Sequence, residues 1–172
     1  MNSAYILLGT NLGDKTANLT TACEKIISRC GSITKQSELY ETAPWGMANQ
    51  DAFLNQVIQI ETNHSPEKLL EILLSIEIEM GRVRLVKWGE RLIDLDILYF
   101  NKDIITKESL KIPHPEIQNR MFVLVPLCEI AADYKHPVLN ITNQQLFKLC
   151  TDQGEVTKLI TLQRSPQNSE EL

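Results

Sequence analysis

Short apolar runs alternate along this chain with stretches in which apolar residues recur every three or four positions, the pattern of strands interleaved with amphipathic helices. Ala4 to Leu8 predicts a buried strand, followed by the turn Gly9-Thr10-Asn11-Leu12-Gly13-Asp14. Leu19, Ala22, Cys23, Ile26 and Ile27 share one side of a helix predicted from about Lys15 to Ser28, which Gly31 ends. Ile33 to Glu41 and Phe53 to Glu61 read as two further strands, the second carrying Val57, Ile58 and Ile60. The turn-rich stretch between them, Thr42 to Asp51, is long enough to expect a working loop. The clearest helix opens with Ser65 as cap and Pro66 in the first helical position, and its leucines and isoleucines continue through Met80. Ile93 to Phe100 predicts a strand with Asp94, Asp96, Leu98 and Phe100 on one face and Ile93, Leu95, Ile97 and Tyr99 on the other.

Beyond it, Asn101 to Ile105 suggests a turn and short hairpin, and Pro113-His114-Pro115 an ordered loop. A helix is predicted from Arg120 or Met121 to Ala132 despite Pro126, then a short helix over Thr142 to Cys150 and a strand over Val156 to Ile160. In order, strand–helix–strand–strand–helix–strand is the ferredoxin-like pattern. The expected fold is therefore α+β, an antiparallel sheet with helices packed on it in a three-layer α/β/α sandwich. One domain is expected over residues 1–163, with a loose polar tail over 164–172.

Composition narrows the function classes. The net charge of −5 argues against binding nucleic acid through a broad basic face. Positive charge is instead local, in Arg82, Arg84, Lys87 and Arg91, which suits a small anionic ligand. No apolar run approaches the roughly 20 residues that span a bilayer, so no membrane association is expected. Cys23, Cys30, Cys128 and Cys150 lack metal-ligand spacing and are read as reduced thiols of a cytoplasmic protein.

The chemistry centres on Asp94 and Asp96. On one strand face their alpha carbons lie roughly 6–7 Å apart. Asp is a poor strand former, and two such charges repel. A divalent cation removes both objections, and Mg²⁺ is bound by one or two carboxylates together with substrate phosphates. Glu77 falls inside the apolar arc of its helix, where a carboxylate needs a partner, either an arginine or a ligand hydroxyl. Trp45, Phe53, Trp88 and Phe122 flank loops, and two such rings can sandwich a flat heterocycle. Asn55, on the same strand face as Phe53, offers donor and acceptor to the edge of such a ring. Gly9 to Thr16 reads G-x-x-x-G-D-K-T, one residue short of a phosphate-binding P-loop, with Asp14 opposing the phosphate charge. Its glycines are read as turning the chain into the first helix.

Several stretches together resemble one family. They are Gly9-Thr-Asn-Leu-Gly-Asp14, Tyr40-Glu-Thr-Ala-Pro-Trp-Gly46, Phe53-Leu-Asn55, Ile76-Glu77 with Gly81-Arg-Val-Arg84, and Trp88-Gly-Glu-Arg91 into Asp94-Leu-Asp96-Ile97. Pro113-His114-Pro115 and Arg120-Met-Phe-Val-Leu complete the set. In this order they resemble the 6-hydroxymethyl-7,8-dihydropterin pyrophosphokinases, enzymes of folate biosynthesis. The resemblance implies two Mg²⁺ ions on Asp94 and Asp96, and a pterin held between Phe53 and Phe122 with Asn55 on its pyrimidine edge. It implies pocket walls from Thr42, Pro44 and Trp45, a nucleotide site from Glu77, Arg84, Trp88, Ile97, His114 and Arg120, and mobile Arg82 and Arg91 that assist transfer.

The implied partners are ATP and the reduced pterin, and the implied state a monomer. The implied reaction is attack of the hydroxymethyl oxygen on the β-phosphorus of MgATP, with loops 42–52 and 82–91 closing over the substrates. Leu74, Leu85 and a shorter loop before Trp88 depart from some relatives and bear on nucleotide affinity. A binding module without turnover and a different small-molecule phosphotransferase are the alternatives. The former is opposed by intact Arg82, Arg91, Asp94 and Asp96. The length leaves no room for a fused second enzyme of the pathway.

Overall fold

A central strand, β1 (Asn2–Thr10), is flanked on both sides in the computed structural model, which describes residues 1–43, 51–81 and 92–160. α1 (Lys15–Arg29) follows, its first turn capped by the Asp14 carboxylate, which accepts from the Ala17 N–H at 3.1 Å. The chain returns through β2 (Ser32–Gln36), β3 (Tyr40–Thr42) and β4 (Phe53–Thr62). α2 (Pro66–Glu79) starts as predicted, with Ser65 accepting from the Lys68 N–H at 3.2 Å. β5 (Asp94–Phe100) completes the pattern, and β6 (Ile105–Thr106) with β7 (Lys111–Ile112) forms the small hairpin. α3 (Met121–Ala131), α4 (Asn143–Leu149) and β8 (Val156–Lys158) follow, α4 opening with a reciprocal cap between Thr142 and Gln145.

The main sheet runs β5-β1-β4-β3-β8, with β2 also on β4, and its described pairs are antiparallel. Two apolar clusters lie on its two faces. Ala4, Ile6 and Leu8 pack with α1 and α2, while Tyr5, Leu7 and Val57 pack with α3 and α4. This is the expected three-layer sandwich on an antiparallel sheet. No helix among the described residues is long and apolar enough to cross a membrane. The four cysteines are free thiols.

Four expectations need correction. Gly9 and Thr10, expected in the turn, continue β1, because both stay paired with β4 through Asn55 and Leu54. The strand predicted from Ile33 to Glu41 is broken at residues 37–39. The buried Ser37 hydroxyl accepts the Val57 N–H at 3.0 Å, replacing the backbone acceptor that a continuous ladder would supply. Strict alternation along β5 also fails. Tyr5 pairs with Tyr99 but Ile6 with Ile97, so Leu98 is an extra residue in a β-bulge. Tyr99 therefore joins Leu98 in the α3-side core, and Phe100 crosses to the α1–α2 side. Ile27 is 55% exposed, because its 100° step carries it to the margin of the arc formed by Leu19, Ala22, Cys23 and Ile26. Gly31 does follow the helix end, for a steric reason as well: a Cβ there would lie 1.9 Å from the Glu61 carbonyl oxygen.

Candidate active site

Register across four strands builds the site's floor. Tyr40 pairs with Asn55, Asn55 with Gly9, and Gly9 with Asp94. Beside this row, Thr42 pairs with Phe53 and Leu7 with Asp96. Leu7 belongs to the α3-side core, so its row and the Asn55–Gly9–Asp94 row face the same layer. Both aspartates thus share one face, as alternation over residues 94–96 requires.

Above them opens a cleft. Thr42, Phe53, Asn55, Asp94, Asp96, Arg120 and Phe122 line it, all anticipated from sequence, together with Leu7, Gly9 and Ala43, which were not. Leu7 and Gly9 carry no reactive group. Only the pairing of β1 with β4 and β5 brings them between Asn55 and the aspartates.

Asn55 is 3% exposed, and its Nδ2 donates to the Thr42 Oγ1 at 2.9 Å. That bond orients the amide and leaves its carbonyl oxygen toward Gly9. Phe53 comes from the sheet and Phe122 from the first turn of α3, so aromatic faces enter from two layers. The Arg120 guanidinium stands 5.8 Å from the Phe122 ring centre. α3 takes no cap from its own N-cap residue, Arg120. Asp152 serves instead from the C-terminal segment, accepting the Met121 N–H at 2.9 Å through Oδ2 and the Gly154 N–H at 2.8 Å through Oδ1. Sequence spacing gave no signal for that role.

His114 is held by its backbone N–H, which donates to the Leu98 carbonyl at 2.9 Å. Its Nδ1 accepts from the Glu116 N–H at 3.1 Å, so the neutral ring carries its proton on Nε2. Burial first, then the Arg120 charge, push its pKa down, while Glu116 and Asp94 oppose the shift.

Other expected nucleotide residues lie elsewhere. Ile97 packs in the α1–α2 core, across the sheet from the cleft. Glu77, 1% exposed, accepts the Leu95 N–H at 2.8 Å through Oε1. A backbone N–H thus answers one of its two carboxylate oxygens. Pro44, Trp45, Arg82, Arg84, Trp88 and Arg91 lie outside the described residues, as do most of the two loops expected to close. The P-loop-like segment leads into the first turn of α1. Asp14 caps α1, and the Lys15 Nζ donates to the Ala52 carbonyl at 2.7 Å.

A family model described as 7,8-dihydro-6-hydroxymethylpterin-pyrophosphokinase (HPPK) matches residues 5–132. The chain belongs to this family. Its similarity extends to the 2-amino-4-hydroxy-6-hydroxymethyldihydropteridine pyrophosphokinase of Haemophilus influenzae, 42% identical over 94% of this chain and 99% of that protein. The like-named protein of Methylorubrum extorquens is 46% identical over 77% of this chain and 85% of its own length. Among solved structures, the wild-type HPPK-DHPS of Plasmodium falciparum with SDX-DHP matches with a TM-score of 0.69 at 19% identity. The match covers 87% of this chain and 43% of that one, and supports an HPPK-like α+β fold.

Proposed function

We propose that the chain carries out the reaction its family is named for, transferring pyrophosphate from ATP to the hydroxymethyl group of 6-hydroxymethyl-7,8-dihydropterin in folate biosynthesis. The supporting observation is that Phe53, Asn55 and Phe122 share one cleft with Asp94 and Asp96. A flat heterocycle between the rings, its edge on Asn55, would direct its substituent toward the carboxylates. The hydroxymethyl oxygen bonds to the β-phosphorus, and the bond from that phosphorus to the oxygen retained by AMP breaks. The hydroxyl proton passes to solvent.

The donor set fits magnesium. Among the described residues no group of three or more His, Cys, Asp or Glu side chains could form an all-protein cage. Two neighbouring carboxylates on an open cleft are what Mg²⁺ uses when phosphates complete its shell. Bound by Asp94 and Asp96, two ions would neutralise triphosphate charge and acidify the attacking hydroxyl. His114, a donor through Nε2, and Arg120 are assigned to the nucleotide, with Glu77, Arg84, Trp88 and Ile97. Thr42, Pro44 and Trp45 are assigned to the pterin pocket wall.

Arg82 and Arg91 are assigned to the charge that develops on transfer. Ala at either should lower the single-turnover rate constant roughly 10²–10³-fold while leaving both substrate affinities nearly unchanged. Rapid-quench kinetics beside equilibrium binding checks this. We further propose a cytoplasmic monomer, which sedimentation tests. The reaction itself is tested by incubating the protein with MgATP and the reduced pterin. Stoichiometric AMP supports pyrophosphate transfer, and ADP would establish a different phosphotransferase.

A further inference from the structure

Glu129 lies on α3 and does not line the cleft, yet it gathers donors from the far edge of the sheet. Its Oε2 accepts the Glu38 N–H at 2.6 Å, at the break between β2 and β3. Its Oε1 stands 3.5 Å from the Lys158 Nζ of β8. The buried Tyr40 is the third group on it. Burial first, then the charge and hydrogen bond of Glu129, and last the charge of Glu38, push the Tyr40 pKa up to about 12, so its hydroxyl donates at neutral pH. Tyr40 and Lys158 are themselves partners in the β3–β8 ladder. One carboxylate therefore clasps α3 to two adjacent strands.

Both bodies joined by this clasp reach the cleft. Glu129 follows Phe122 by seven residues, two helical turns, so the two side chains lie along one stripe of α3, roughly 10 Å apart. On the strand side, Tyr40 is the ladder partner of Asn55, and Thr42 accepts from the Asn55 amide at 2.9 Å. Asp152 ties down the head of α3. A helix tied only there can pivot, and a second tie two turns further on fixes its tilt over the sheet.

We propose that Glu129 is a positioning residue for the transfer, one that touches no substrate and sets the separation between the α3 wall and the β3–β4 wall of the site. This rests on the reading of the function given above. The bonds to the Glu38 N–H and the Tyr40 hydroxyl carry the effect. The Lys158 contact adds little, since that side chain is 56% exposed.

The test uses the full chain and steady-state kinetics at saturating MgATP. Glu129→Ala should raise the KM for the reduced pterin about tenfold or more while kcat changes less, since a misplacement of about 1 Å can cost up to about 10²-fold. Glu129→Gln should recover most of that loss, because its amide can accept from the Glu38 N–H and donate to the Tyr40 hydroxyl. Tyr40→Phe removes one bond at nearly constant volume and should raise the KM about threefold or more, which keeps the test open if Glu129→Ala fails to fold. With Glu129 already replaced by Ala, adding Tyr40→Phe should raise it no further. A carboxylate that only stabilised the fold would lower the urea midpoint and leave the KM alone. Unchanged KM in Glu129→Ala and Tyr40→Phe, no recovery in Glu129→Gln, or additive losses in the double variant would each overturn the proposal. Absence of transfer by the unmodified protein would instead overturn the reading of the function.

Discussion

Asp94→Ala or Asp96→Ala is expected nearly to abolish pyrophosphate transfer while leaving the fold intact. Each carboxylate sits beside a like charge on one strand face, an arrangement useful with a cation and mildly unfavourable without one. Calorimetric titration of MgATP is the check, and undiminished Mg²⁺-dependent binding in the double variant would refute the assignment. Glu77 carries a different expectation. Its Oε1 accepts the N–H of Leu95, the residue between the two aspartates, from inside the α1–α2 core. Glu77→Leu would leave that N–H without its acceptor and should cost about 1–3 kcal/mol of stability. Glu77→Gln keeps an acceptor oxygen and should recover most of it. Urea denaturation of the two variants separates this positioning role from a contact with the nucleotide alone, which would leave their stabilities alike.

α3 owes its placement to a residue far along the chain. Its N-terminus presents Arg120 and Phe122 to the cleft, and Asp152 supplies the missing cap. Asp152→Ala should remove a capping interaction worth about 1 kcal/mol and loosen that first turn. The expected signature is a raised KM for the pterin with a smaller change in kcat, read from steady-state kinetics at saturating MgATP. Equal stability and equal KM would show the cap to be dispensable. β5 shows a second element-level device. Its bulge at Leu98 comes after both aspartates, so the site-bearing half keeps regular alternation while the far half places both Leu98 and Tyr99 against α3 and α4.

Across the whole molecule, two histidines make stability depend on pH in one direction. His136 is 4% exposed, and its Nδ1 accepts the Val138 and Leu139 N–H groups at 3.2 and 3.0 Å. Burial pushes its pKa below the ordinary 6.5, and burial does the same to His114. Below pH 6.5 the unfolded chain therefore binds more protons than the folded one, so stability falls as pH drops through that window and levels off below the folded values. Denaturation midpoints should decline between about pH 7 and pH 5.5. His136→Asn keeps an acceptor near those N–H groups but cannot protonate there, and should flatten the decline. An unchanged slope would place the effect elsewhere.

Local information determined the identity of the elements and of most groups in the cleft. Caps at Asp14, Ser65 and Thr142, the periodicity of α1 and α2, and the pairing of Asp94 with Asp96 on one face all depend on neighbours a few residues away. Register does not. Gly9 meets Asn55 and Asp94 through strands 46 and 85 positions distant, so its place between them is not set by the residues around it. The same holds for Asp152 at the head of α3, for Glu77 at the Leu95 N–H, and for the β5 bulge that exchanged Tyr99 and Phe100. Each is a match between distant backbone groups that must be satisfied once layers close over the sheet, so only the folded chain decides which partner answers.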